Sequence, residues 1–147
     1  MSFVAHSGIG VSDIARSIRF YTELLGFEPC RTLNMTSDQV SDFLELDPPA
    51  DMEAVYLMMG DFQLELLQFH PGGENHVRDR KMNHAGLTHI SIGVPSVADT
   101  LARVKDYGGE IVTTLPGNIG AMIRDPDGQL WEILDGAYAA EERLRRG

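Results

Sequence analysis

Two histidines and two glutamates stand at matching places in a sequence that states one pattern twice. His6 opens the segment His6-Ser-Gly-Ile-Gly-Val11, and His89 opens its echo, His89-Ile-Ser-Ile-Gly-Val94. Glu65 lies in the middle of Asp61-Phe-Gln-Leu-Glu-Leu-Leu67, and Glu132 in the middle of Gly128-Gln-Leu-Trp-Glu-Ile-Leu134. A single histidine at a strand start is usually a half-exposed polar residue, and a single glutamate in an apolar strand usually faces water or pairs with a charge. Recurrence of all four in register is different, because a solvent-facing accident has no reason to repeat. Two imidazoles and two carboxylates form a hard-to-borderline site for a divalent cation, with water filling the remaining positions. His70, His76 and His84 have no partner in the other copy and read as surface histidines.

These four residues must be carried by elements that repeat. After His6, the run from Ser12 opens with capping residues, sets Ile14, Ile18, Tyr21 and Leu25 at helical spacing, and ends at Gly26. After His89, Pro95-Ser96 leads into Val97, Leu101 and Val104 at the same spacing, with Gly109 expected in the role of Gly26. Strands then follow near 28–33 and 110–115, and again at 53–59 and 120–124, before the glutamate strands. Gly60-Asp61 and Asp125-Pro-Asp-Gly128 read as the tight turns that join the last two strands of each copy. Each copy is thus strand–helix–strand–strand–strand. Side-chain alternation along a strand puts each histidine and each glutamate on equivalent faces, so copies packed about a pseudo-twofold axis would bring His6, Glu65, His89 and Glu132 to a common centre.

The expected organisation is a single domain over 1–147. Its parts are a first module at 3–69, a linker at 70–86, a second module at 87–135, and a C-terminal helix or tail at 136–147. The first module carries an insertion at 34–52, with a short helix around Gln39–Leu44, which reads as a solvated loop or as a substrate lid.

Composition narrows the class. Among 147 residues, 12 Lys and Arg against 22 Asp and Glu leave a net charge of −10, which repels phosphate backbones and anionic lipid. Neither nucleic acid nor a membrane is expected as a partner. No apolar run is long enough to span a bilayer, and Met1-Ser-Phe-Val-Ala-His6 lacks a basic-then-apolar secretory pattern. Cys30 is the only cysteine, which excludes an internal disulfide and a thiolate cluster and fits the cytoplasm.

Several stretches together resemble the vicinal oxygen chelate superfamily of glyoxalase I, methylmalonyl-CoA epimerase, extradiol dioxygenases and bleomycin-resistance proteins. They are His6…Gly10-Val-Ser-Asp-Ile14…Phe20-Tyr21…Leu24-Leu-Gly-Phe27, then Leu64-Glu-Leu-Leu67, Gly86-Leu-Thr-His-Ile90, and Asp125-Pro-Asp-Gly128…Glu132. The resemblance implies an α+β fold of two pseudo-symmetric βαβββ modules, forming a cupped, barrel-like mixed sheet with helices outside. It implies one divalent metal ion (Zn, Ni, Co, Mn, Mg or Fe) held by His6, Glu65, His89 and Glu132. The implied activity is that of an isomerase or lyase working through a metal-stabilised enolate on a small carbonyl or acyl-thioester substrate, glyoxalase-like or epimerase-like. Glu132 is then the chief proton carrier, with Glu65 as its partner on the opposite face. A homodimer is also implied. Glyoxalases of the glutathione type place an Arg four residues after the first ligand and an Asn four after the second; here those positions are Gly10 and Phe69. Within the same superfamily, an Fe(II) extradiol-type dioxygenase and a non-catalytic drug- or metabolite-binding protein are the alternatives.

Overall fold

The computed structural model describes residues 1–145, which divide into two units, Met1–Glu74 and Asn75 onward. Unit 1 runs β1 (Ser7–Gly10), α1 (Ile14–Arg19), β2 (Glu28–Met35), α2 (Ser37–Leu44), β3 (Asp51–Met59) and β4 (Phe62–His70). Unit 2 runs β5 (Ile90–Val94), α3 (Val97–Arg103), β6 (Glu110–Thr114), β7 (Gly120–Arg124), β8 (Leu130–Asp135) and α4 (Gly136–Leu144). The last two residues of the expected C-terminal tail lie outside the described residues. No described helix is long and apolar enough to cross a membrane.

Each unit has its own four-stranded mixed sheet, ordered β1-β4-β3-β2 in one and β5-β8-β7-β6 in the other. The His-side strand runs parallel to the Glu strand, and the remaining pairs are antiparallel. Neither sheet closes on itself, and the two βαβββ modules with their mixed sheets are the α+β architecture expected.

The helices after β1 and β5 start where the sequence places them. The Asp13 side chain accepts from the Arg16 N–H at 2.9 Å, and the Ser96 hydroxyl accepts from the Asp99 N–H at 3.2 Å. The Gln68 side chain accepts from the Ile14 N–H at 2.7 Å, which ties the first turn of α1 to β4. Ile14, Ser17, Phe20, Tyr21 and Leu24 form the buried face of this helix. The two helices end differently. A π-helical turn over Phe20–Leu24 follows α1, whereas a tighter 3-10 turn over Val104–Tyr107 follows α3. The wider turn takes up more chain, so the left-handed residue that matches Gly26 (φ 84°) is Gly108 (φ 80°) and not Gly109.

Residues 34–52 hold a docked helix. Thr36 and Gln39 form a reciprocal capping box at the start of α2. Val40 is fully buried against Ala50, Met52, Ala54 and Tyr56, with Met35, Leu67 and Phe69 packed beside them. In unit 2 a helix comes from the chain end instead. The α4 helix turns back from Asp135 so closely that a Cβ on Gly93 would stand 3.1 Å from the Ala139 methyl.

Candidate functional site

Strand register assembles one polar row across each sheet. In unit 1, Gly8 of β1 lies opposite Glu65 of β4, Glu65 opposite Tyr56 of β3, and Tyr56 opposite Arg31 of β2. His6, two residues before Gly8, alternates onto the same face. Its Nε2 lies 3.2 Å from Glu65 Oε2, and the side chains are 40% and 11% exposed. The Tyr56 ring meets the imidazole edge-on at 5.6 Å between centres, and the Arg31 guanidinium lies 4.0 Å from the centre of the Tyr56 ring. The phenol of Tyr56 is pushed above its ordinary value of 10.0. The first cause is its hydrogen bond to the Glu65 carboxylate; burial and the carboxylate's charge add to it, while Arg31 pulls the other way.

The row in unit 2 has the same frame with different occupants. Ser91 of β5 lies opposite Glu132, Glu132 opposite Met122, and Met122 opposite Thr113. His89 Nε2 is 3.8 Å from Glu132 Oε2, with exposures of 30% and 32%. The Thr88 hydroxyl lies 3.1 Å from the other ring nitrogen, His89 Nδ1. Both edge strands carry a bulge just before this row, between Pro29 and Arg31 and between Ile111 and Thr113. Arg31 and Thr113 are therefore true counterparts.

The structure thus pairs His6 with Glu65 and His89 with Glu132, each pair inside its own unit. Adjacent donors on an ion with bonds of about 2.0–2.2 Å stand about 3 Å apart, so an imidazole nitrogen and a carboxylate oxygen at these spacings suit one cation. Within either unit, no group of three or more His, Cys, Asp or Glu side chains gathers among the described residues, so each pair is a two-donor set. A cavity of about 320 Å³ in unit 1 lies among Asn34, Asp51, Glu53 and His70, which alternate onto the face opposite Glu65. It includes none of the four expected ligands.

Tyr56 and Arg31 were not legible as site residues from residue type alone. The signal was nevertheless present in the spacing. Counting outward from the two-residue turn Gly60-Asp61 sets Tyr56 directly across the ladder from Glu65.

Comparison with known proteins agrees with this frame. The sequence model of the Glyoxalase/Bleomycin resistance protein/Dioxygenase superfamily matches residues 3–133. The lactoylglutathione lyase of Pseudomonas putida is 30% identical over 142 residues, covering 88% of this chain and 82% of that protein. A probable chloroplastic lactoylglutathione lyase of Arabidopsis thaliana is 31% identical over 131 residues, covering 85% of this chain. The aligned chain spans about a third of that longer protein, 33%. Among solved structures, the trypanothione-dependent glyoxalase I of Leishmania major superposes with a TM-score of 0.68 at 27% identity, covering 98% of this chain and 94% of that one. The chain belongs to the Glyoxalase/Bleomycin resistance protein/Dioxygenase superfamily, known also as the vicinal oxygen chelate superfamily.

Proposed function

We propose that this chain is a divalent-metal-dependent lyase or isomerase of the glyoxalase I type, moving a proton between neighbouring carbons of a small carbonyl–thiol adduct. The observation that carries this reading is the duplicated His–Glu pair on equivalent strands, His6 with Glu65 and His89 with Glu132. These four side chains would hold the ion. When bound, the ion supplies positive charge beside the substrate's carbonyl oxygen, which lowers the cost of removing the neighbouring proton.

The chain's own residues do the rest. Glu132 is one-third exposed, so its carboxylate would have room to receive the proton from the carbon that bears sulfur and set it down on the next carbon. The electron pair of the broken C–H bond reduces the neighbouring carbonyl carbon, the hydroxyl proton on the sulfur-bearing carbon passes to the new alkoxide oxygen, and no oxidant is consumed. His6, Glu65 and His89 keep their positions throughout. Gly10 has no side chain and Phe69 packs beside Val40, so neither can anchor a thiol carrier's carboxylate. The carrier is accordingly held elsewhere, or is a thiol other than glutathione. A cytoplasmic homodimer belongs to the same reading, and sedimentation and cell fractionation check it.

The test is solvent exchange. Protein stripped and reloaded with Zn, Ni, Co, Mn, Mg or Fe is given methylglyoxal with glutathione or other thiols in deuterated water. The hydroxyacyl thioester is expected to form, with deuterium at its new C–H to the extent that the Glu132 carboxyl exchanges with solvent before returning the proton. Glu132→Gln should lower kcat by about 10²–10⁴-fold, the usual share of a general base. Absence of product with every metal and thiol overturns the reading. Iron-dependent oxygen uptake with catechols would replace it with a dioxygenase, and failure to take up any divalent ion would leave a binding protein.

A further inference from the structure

The two carboxylates are not held alike. Across the ladder from Glu65 stands a buried phenol, while across from Glu132 stands a thioether that has no proton to donate. We infer that Tyr56 is a positioning residue for Glu65: its hydroxyl fixes the carboxylate as a stationary ligand, and Met122 leaves Glu132 free to move.

The geometry supports a division of labour. Tyr56 stands directly across the ladder from Glu65, and His6 Nε2 lies 3.2 Å from Oε2, so the side chain is bounded on two sides. The ring of Tyr56 is itself fixed. It is 5% exposed, packs in the cluster with Val40, Met52 and Ala54, and lies beneath the Arg31 guanidinium. Glu65 is also packed from below, because a Cβ on Gly8 would come within 3.4 Å of Oε2. Hydrogen bonds that orient a ligating side chain act on metal affinity and not directly on the chemical step. Glu132 sits in a row with Met122 and Thr113, where the bulge that presents Arg31 in unit 1 presents a short hydroxyl instead. A proton carrier needs that freedom, whereas a stationary ligand does not.

This inference rests on the proposed role of Glu65 as a ligand, but its test does not require turnover. Side-chain ¹³C relaxation of Glu65 and Glu132 is measured in metal-free wild type and Tyr56→Phe, and Zn²⁺ affinity is measured by chelator competition. In wild type, Glu65 should be the more rigid of the two. Tyr56→Phe keeps the ring and removes only the hydroxyl; Glu65 should then loosen to the level of Glu132, Glu132 should be unmoved, and Zn²⁺ affinity should fall about 10–100-fold. Arg31→Gln, a change at an exposed residue, should loosen Glu65 in the same direction by less. Glu65 mobility that is unchanged in a folded Tyr56→Phe protein overturns the proposal. A wild type that takes up no Zn²⁺ refutes the metal-dependent function, and the relaxation data still decide whether Tyr56 positions Glu65.

Discussion

Glu65 and Glu132 occupy the same place in two copies of one supersecondary pattern, each in the middle of its sheet beside a histidine that immediately precedes the parallel neighbouring strand. Their surroundings diverge one strand further on, where Tyr56 with Arg31 in unit 1 faces Met122 with Thr113 in unit 2. The nitrogen-to-oxygen distances differ as well, at 3.2 Å for His6–Glu65 and 3.8 Å for His89–Glu132. A repeat therefore keeps the positions of the donor atoms through strand register, while residues opposite them remain free to assign separate jobs. Register is a backbone property and survives substitution; the constraint on a carboxylate's last two torsions is not, and needs a specific neighbour.

The largest effect expected from this asymmetry lies in the carboxylates themselves. At saturating metal, Glu132→Gln should cost about 10²–10⁴-fold in kcat, with the smaller loss of metal affinity. Glu65→Gln should do the reverse, reducing metal affinity more than it reduces kcat. Chelator competition and steady-state kinetics on the two variants make the comparison. Equal losses of kcat would break it, because two bases flanking one carbon would then share the proton, as racemisation or epimerisation requires.

The hairpins beneath the two glutamates differ as well. Unit 1 turns on Gly60 (φ 57°), where an added Cβ meets nothing within 4 Å. Unit 2 turns on Gly128 (φ 102°), where an added Cβ would lie 2.7 Å from the Arg78 backbone. That loop is also built around Asp125, whose carboxylate accepts from the N–H groups of Asp127 and Gln129. Gly128→Ala should accordingly cost roughly 2–4 kcal/mol in urea unfolding, and Gly60→Ala only about 1 kcal/mol. Similar costs at both turns would show that the close approach of Arg78 is relaxed in solution.

Much of this frame was legible from the chain alone, because it rests on short-range rules. Period-two alternation, the caps Asp13 and Ser96, and the turn at Gly60-Asp61 give both units their element order. The pairing of each histidine with its glutamate follows from the same alternation. Two features escaped. The offset between Gly26 and Gly108 depends on π versus 3-10 winding, which residue type at those turns does not declare. Tyr56 escaped because a tyrosine in a strand is ordinary β-sheet composition until the register sets it opposite a carboxylate.

The insertion offers a third contrast, since only unit 1 lays a helix from within its sheet connections over the face that carries Glu65. Val40 anchors that helix on Met52, Ala54 and Tyr56. Val40→Ala removes two buried carbons and leaves a void, so a loss of about 2 kcal/mol in urea unfolding is expected. Hydrogen exchange over 37–44 should rise in the same variant. A variant with unchanged exchange there would mean that α2 is held by its capping box and by the bonds from the Ser37 N–H and hydroxyl to Asp51 rather than by its apolar contact.

The smallest effect is also the most direct reading of the contact that separates the two units. The Tyr56 phenol is raised in the folded state above 10.0, chiefly by its hydrogen bond with Glu65. The folded protein therefore holds this proton more tightly than the unfolded chain does. The resulting stability is fully present below pH 10 and is lost as pH rises through the folded value. In metal-free protein, ultraviolet titration of wild type against Tyr56→Phe should assign a late-ionising phenol to Tyr56, and Glu65→Gln should bring it down because a neutral amide neither attracts the proton nor repels the phenolate. Wild-type stability should fall more steeply than that of Tyr56→Phe above pH 10, and the two should run parallel below it. A phenol that titrates identically in wild type and Glu65→Gln would remove the hydrogen bond on which the difference between the two carboxylates depends.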